Sequence, residues 1–304
     1  MIEQKQTVIE TQGLTKKYKN FLALDNATVQ VEQRDVYGLV GKNGAGKTTF
    51  FKLVMGLTRP ASGNIRIAGN DNLNISRKQI GFMIGSTFFP YLSARKNMEY
   101  YRRLKGISDK SETARVLKLV GLDGVKKPFK QFSMGMKQRL GLAGALLGNP
   151  SIVFLDEPIN GLDPEGISDI RNIIKALNRE QGVTFVISSH VLSELDLVAT
   201  RFGFIDHGIL RKEISHEDLH RQTQKALIIE VDDVIRAGSI LETNFGVKDY
   251  VIEKNNTIVL DDVSIRTNEI AKIFVDAGLA LYSLRRRETT LEEYFMNLVV
   301  GADD

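Results

Sequence analysis

The stretch that most restricts what this chain can fold into is Gly41-Lys42-Asn43-Gly44-Ala45-Gly46-Lys47-Thr48. It sits between a short apolar run, Val36–Val40, and an apolar-periodic segment beginning at Thr49. The loop matches the pattern G-x-x-x-x-G-K-[ST], and the flanking runs predict a buried strand before it and a helix after it. Each residue type has a chemical reason. Glycines let backbone N–H groups curl around a phosphate without a Cβ in the way. The following helix offers its positive end to the same charge. Lys47 has the reach for β- and γ-phosphates, and the Thr48 hydroxyl suits Mg²⁺. The expected nucleotide-binding set is Gly41, Lys42, Asn43, Gly44, Ala45, Gly46, Lys47, Thr48 and Thr49.

A second run, Ser151-Ile-Val-Phe-Leu155, ends in adjacent carboxylates, Asp156 and Glu157. A carboxylate at the end of a buried strand can hold Mg²⁺ through water, which assigns Asp156 to the metal with Thr48. Glu157, one residue on, points elsewhere and suits polarisation of an attacking water. Read alone, Asp-Glu-Pro is a common strand exit; the upstream phosphate loop is what gives it meaning.

A third anion-friendly place lies ninety residues beyond the first. In "QFSMGMKQRLGLAGALL", Ser133-Met134-Gly135 begins an apolar helix. Ser133 on its own reads as an ordinary helix cap, accepting a bond from a backbone N–H of the first turn.

Composition narrows the class. Among 304 residues, 42% hydrophobic and 26% charged is a globular balance, and the net charge is +4. From Arg221 onward there are 10 Lys/Arg against 15 Asp/Glu, so the acidic tail differs from a mildly basic body. No basic tract is interleaved with aromatics, which disfavours nucleic acid as a partner. There is no cysteine, hence no disulfide or thiolate chemistry. The longest uncharged stretch, Leu140–Leu155, is interrupted by Gly148-Asn149-Pro150 and is too short to span a bilayer. The polar start, MIEQKQTVIE, does not read as a signal peptide, so a cytoplasmic location is expected.

In order and spacing these motifs resemble the ATP-binding cassette (ABC) family. Tyr18 in "LTKKYKNFLALDN" stands where that family stacks an aromatic on adenine. "FSMGMKQRLGLA" stands in the place of its signature, "NGLDP" (Asn160–Pro164) resembles its D-loop, and His190 in "VISSHVLSELD" its switch histidine, a γ-phosphate contact. The resemblance implies an α/β fold, a P-loop NTPase cassette with a RecA-like core, an antiparallel β subdomain and an α-helical subdomain at about 86–150. It implies ATP and Mg²⁺ as ligands, with Lys47, Glu157 and His190 as the catalytic set. Two cassettes pair head to tail in this family, so Ser133 and Gly135 would serve the nucleotide of a partner cassette, expected to be a second copy. A separately encoded transmembrane permease is the other partner implied, holding the chain on the inner face of the membrane.

The signature departs from the usual Leu-Ser-Gly-Gly-Gln: Phe132, Met134 and Met136 replace the Leu, the first Gly and the Gln, while Ser133 and Gly135 are kept. The Gln that usually follows the strand before the helical subdomain is absent. Its register falls on Gly85, followed by Ser86, which puts turnover in question more than ATP binding.

The cassette is expected over 1–215, a linker over 216–224, and an accessory domain over 225–304. The tail alternates strand and helix as β-α-β-β-α-β, the order of a small α+β ferredoxin-like domain, with a hairpin turning at Asn255-Asn256 and one further helix at the end. His216-Glu217-Asp218-Leu219-His220 fits the H-E-x-x-H zinc pattern, but its polar surroundings and acidic first turn read as a plain helix start. Arg285-Arg286-Arg287 reads as a solvated strand end.

Tail and motifs together resemble the bacitracin-resistance and lantibiotic-immunity branch, which implies an ATP-hydrolysing motor for export of a peptide antibiotic, drug or related hydrophobic substrate. Two other readings stay open on sequence alone: an ATP-gated regulatory module that hydrolyses weakly, motivated by Gly85, and a soluble ABC ATPase without a transport role.

Overall fold

The computed structural model describes residues 6–85, 88–223, 226–247, 249–253, 256–261, 265–287 and 290–300, in two compact units divided between His216 and Glu217. The first unit opens with two long strands, β1 (Thr7–Tyr18) and β2 (Phe21–Glu32), which pair antiparallel. β3 (Val36–Val40) follows, buried at every residue as its unbroken apolar run predicts, and then helix α1 (Lys47–Val54). β4 (Ser62–Ile67) returns to the edge of β1, followed by the short α2 (Leu73–Ser76) and by β5 (Ile80–Met83).

The helical section holds α3 (Ala94–Leu104), α4 (Ser111–Leu119) and α5 (Met134–Leu146). Ser93 caps α3 and Ser133 caps α5, each hydroxyl accepting from the N–H three residues on. Next come β6 (Ile152–Asp156), α6 (Pro164–Gln181), β7 (Thr184–Ser189), α7 (Leu192–Asp196), β8 (Arg201–Asp206) and β9 (Ile209–Ser215). Asp163 caps α6, Pro164 takes its first position, and Gly182 closes it in the left-handed conformation.

These strands form one nine-stranded sheet in the order β4-β1-β2-β9-β8-β3-β7-β6-β5. Its β8-β3-β7-β6-β5 side is wholly parallel and its β4-β1-β2 side antiparallel. β3, β7 and β6 are adjacent, so their carboxyl ends open at one edge of the sheet, where ligands of open α/β sheets bind. Beneath that edge lies a core in which Phe51 meets Phe154 edge-on at 5.3 Å, fixing α1 against β6.

The division falls at the start of α8 (His216–Thr223), a helix that covers most of the segment expected as a linker. Arg221 pairs with Glu217 and Asp218, each at 3.1 Å, one helical turn back, which favours helix over an extended connection. Then follow β10 (Ala226–Val231), α9 (Val234–Phe245), β11 (Tyr250–Glu253), β12 (Thr257–Asp261), α10 (Thr267–Asp276), β13 (Leu281–Arg287) and α11 (Leu291–Val300). The four strands form an antiparallel sheet ordered β11-β12-β10-β13. Its core gathers Ile229, Ile258 and Leu260 from the sheet with Leu241 of α9 and Phe274 of α10. Asp233 caps α9, its carboxylate accepting from the Ile235 and Arg236 N–H groups. Of the expected hairpin turn, Asn256 is left-handed at φ 55°, while Asn255 lies outside the described residues. Among the described residues no helix is long and apolar enough to cross a membrane.

Candidate nucleotide site

Three segments leave the sheet side by side and carry the predicted groups together. From β3 the chain enters the glycine loop, which bends back onto itself: a Cβ on Gly41 would lie 2.4 Å from the Ile205 carbonyl oxygen. Gly46, at φ 111°, is equally confined, its place for a Cβ being 2.8 Å from the Ala23 oxygen. The loop therefore admits no side chain at either position.

Lys47, only 5% exposed, turns back into this loop. Its Nζ donates to the carbonyls of Gly41 at 2.6 Å and Lys42 at 3.3 Å, and lies 3.1 Å from Glu157 Oε1. That carboxylate oxygen is enclosed, and the Lys47 ammonium is the charge it faces.

Thr48 Oγ1 donates to Asp156 Oδ2 at 2.8 Å, joining α1 to the end of β6. The other Asp156 oxygen accepts from Ser188 Oγ at 2.6 Å, and the same Ser188 hydroxyl accepts from the Glu157 N–H at 2.9 Å. Glu157 has a left-handed backbone at φ 49°, a conformation that costs a residue with a side chain about 1–3 kcal/mol. The two adjacent carboxylates keep different partners, Asp156 facing Thr48 and Ser188 and Glu157 facing Lys47 and His190. Glu157 Oε2 meets His190 Nδ1, which leaves β7, at 2.9 Å.

Lys47, Thr48, Asp156, Glu157 and His190 thus meet in one place. Phe21, Ala23, the loop residues from Lys42 to Thr49 and Glu157 enclose a cavity of about 320 Å³ there. Tyr18 does not line that cavity; it stands at the end of β1, 42% exposed, with Lys16 Nζ 4.9 Å from its ring centre.

Ser133 and Gly135 are elsewhere. They line a separate cavity of about 440 Å³ with Met134, Arg139 and the turn from Gly161 to Asp163, and no residue is common to the two cavities. Ser133 Oγ accepts from the Met136 N–H at 3.3 Å, and Arg139 approaches Asp169 at 3.3 Å.

Gly85 is left-handed at φ 58° and lines a third, apolar cavity of about 160 Å³ with Phe82, Phe88, Tyr101 and Lys105. Burial lowers the Lys105 pKa below the ordinary lysine value. Ser86 lies outside the described residues. Two residues at the main site escaped the sequence reading. Ser188 is paired with Asp156 across β6 and β7, a register no local pattern shows, and Phe21 begins a strand whose apolar spacing gave it no distinction.

A glycine loop ending in Lys-Thr, a strand-end Asp bound to that Thr, and a Glu–His pair beside the lysine define a nucleoside triphosphatase of the phosphate-loop class. The model of the ABC transporter family matches residues 24–160. The bacitracin transport ATP-binding protein BcrA of Bacillus licheniformis is 38% identical over 97% of this chain and 98% of its own length. The lantibiotic transport ATP-binding protein SrtF of Streptococcus pyogenes is 41% identical over 68% of this chain and 91% of its own. Among solved structures, the ATP-binding cassette MJ0796, a dimer in a post-hydrolysis state with ADP and Pi, superposes with a TM-score of 0.62. It is 25% identical and covers 68% of this chain and 98% of its own. The chain belongs to the ABC transporter family as an ATP-binding subunit, and it is an ATPase.

Proposed function

We propose that the chain is the motor of an exporter for a peptide antibiotic or related hydrophobic compound, hydrolysing Mg·ATP between two cassettes paired head to tail. The observation that carries the chemistry is the meeting of Lys47, Thr48, Asp156, Glu157 and His190 at the ends of three adjacent strands. The loop from Gly41 to Thr49 cradles the phosphates with backbone N–H groups, and Lys47 exchanges its contact with Glu157 for β- and γ-phosphate oxygens. Glu157, released from the lysine, accepts a proton from the attacking water, and His190 orients that carboxylate and reaches the γ-phosphate.

Thr48 and Asp156 are hard oxygen donors already in contact, a set that fits Mg²⁺. Bound there, the ion would neutralise phosphate charge. Ser188 holds Asp156 in place from the side away from Thr48.

Tyr18 receives the adenine. Ser133 and Gly135, which line a cavity separate from that of the chain's own glycine loop, cap the γ-phosphate held by the partner copy; the dimeric state of MJ0796 supports this pairing. The cargo class and the separate membrane permease rest on the similarity to BcrA and SrtF. The apolar cavity beside Gly85, with Phe82 45% exposed and Tyr100 and Leu104 also exposed nearby, suits contact with that permease, which would hold the chain at the cytoplasmic face of the membrane. The division of the chain into a cassette and an accessory unit is part of the same reading. The strand order β11-β12-β10-β13, with α9 and α10 as crossovers, supports a ferredoxin-like fold for the accessory unit.

Comparison of the wild type with Glu157→Gln tests the proposal, by ATP turnover and by sedimentation with Mg·ATP. Turnover is expected to fall about 100-fold or more, with a stable ATP-bound dimer for the variant alone. A wild type already dimeric without turnover would favour the weakly hydrolysing gated module that Gly85 motivates. Unchanged turnover in the variant would remove Glu157 from the mechanism.

A further inference from the structure

We infer that Phe21 is a second aromatic contact for the nucleotide, packing against its nucleoside where this emerges from the glycine loop. The inference rests on the reading of that loop as the nucleotide site.

Phe21 opens β2 directly opposite Tyr18 in the β1–β2 register, and opposed residues of an antiparallel pair project to the same face. It is 63% exposed, which alone says little. What distinguishes it is position: its side chain lines the same cavity as Lys47 and Thr48, and that of Tyr18 does not.

That position is fixed by the backbone. Ala23, two residues on and therefore on the same face of β2, is buried with its carbonyl against Gly46. The Asp25 N–H donates to the Gly208 carbonyl at 2.8 Å, and the Gly208 N–H donates to that of Ala45 at 2.9 Å. The start of β2 is thus tied to the phosphate loop, and Phe21 keeps a set distance from it. Tyr18 is held differently. Lys16 lies over its ring and also donates to the Arg59 carbonyl at 2.7 Å, so one face of the tyrosine is already engaged. A base leaving the loop therefore has the Phe21 ring on its phosphate side and Tyr18 beyond it. Phenylalanine has no hydrogen-bonding group, so its contribution is stacking and exclusion of water.

Calorimetric titration of the full chain with Mg·ADP and with Mg·pyrophosphate separates nucleoside contacts from phosphate contacts. Phe21→Ala is expected to weaken ADP about tenfold and to leave pyrophosphate unchanged, with Phe21→Trp restoring ADP affinity. Unchanged ADP affinity in Phe21→Ala would overturn the inference, and if Tyr18→Ala still weakened ADP the nucleotide reading would stand without it. Equal weakening of both ligands would also overturn it, because the residue would then act through the loop. A wild type that bound neither ligand would remove the nucleotide reading itself.

Discussion

Two places in the first unit carry small residues suited to an anion, and they differ in who requires the glycine. In the phosphate loop the chain itself does. A Cβ on Gly41 or Gly46 would strike the backbone of Ile205 or Ala23. At the start of α5 there is room: among the described residues outside its own helix, a Cβ on Gly135 would meet only Leu162, at 4.0 Å. The lysine of the first place donates to its own loop, whereas the Ser133 hydroxyl caps its own helix. Gly135 lies on the wall of a cavity, and the proposed head-to-tail pairing gives its missing side chain a use, since it leaves room for what approaches from outside. The proposed occupant is the nucleotide of a partner cassette.

The largest effect is expected from mixing two defective chains. Lys47→Ala and Gly135→Asp should each lower turnover about 100-fold or more. Head-to-tail pairing predicts that a mixture regains turnover, because one of its two composite sites has an intact loop and an intact Ser133 region. If both elements served one chain's own nucleotide, mixing would restore nothing. Next in size is Ser133→Asp. Aspartate caps a helix as well as serine, so thermal stability should hold, while a negative charge facing a phosphate should lower turnover by about tenfold or more.

Alanine at the two glycines should then separate stability from activity. Gly41→Ala is expected to cost about 1–3 kcal/mol through backbone displacement, seen as a melting temperature several degrees lower. Gly135→Ala should melt as the wild type does and lose turnover only. Equal melting losses for the two would end the distinction. The smallest effect expected is that of Ser133→Ala, about 1 kcal/mol of lost cap in a denaturant titration.

The glycine loop, the Asp156-Glu157 strand end and the cap Ser133 were legible in the sequence because each is a local matter. Ser188 was not, since it lies 32 residues from Asp156 and meets it only through the parallel register of β6 and β7. Phe21 escaped for a related reason: its meaning comes from backbone bonds running through Gly208 and Ala45. The segment 216–224 was expected as a linker because it falls between two patterns. The same acidic first turn that spoke against zinc there supplies the pairs that keep α8 helical.

The features readable along the chain are thus those that a few neighbouring residues decide through φ, hydrogen bonding and charge. A glycine-rich turn, a buried apolar strand and a helix N-terminus are each set within about ten residues. Only the tertiary structure decided that β7 lies between β3 and β6 and so brings Glu157 within 3.1 Å of Lys47 and 2.9 Å of His190. Strand order is settled by burial of the whole sheet between its helices, and no window of the sequence contains that sum.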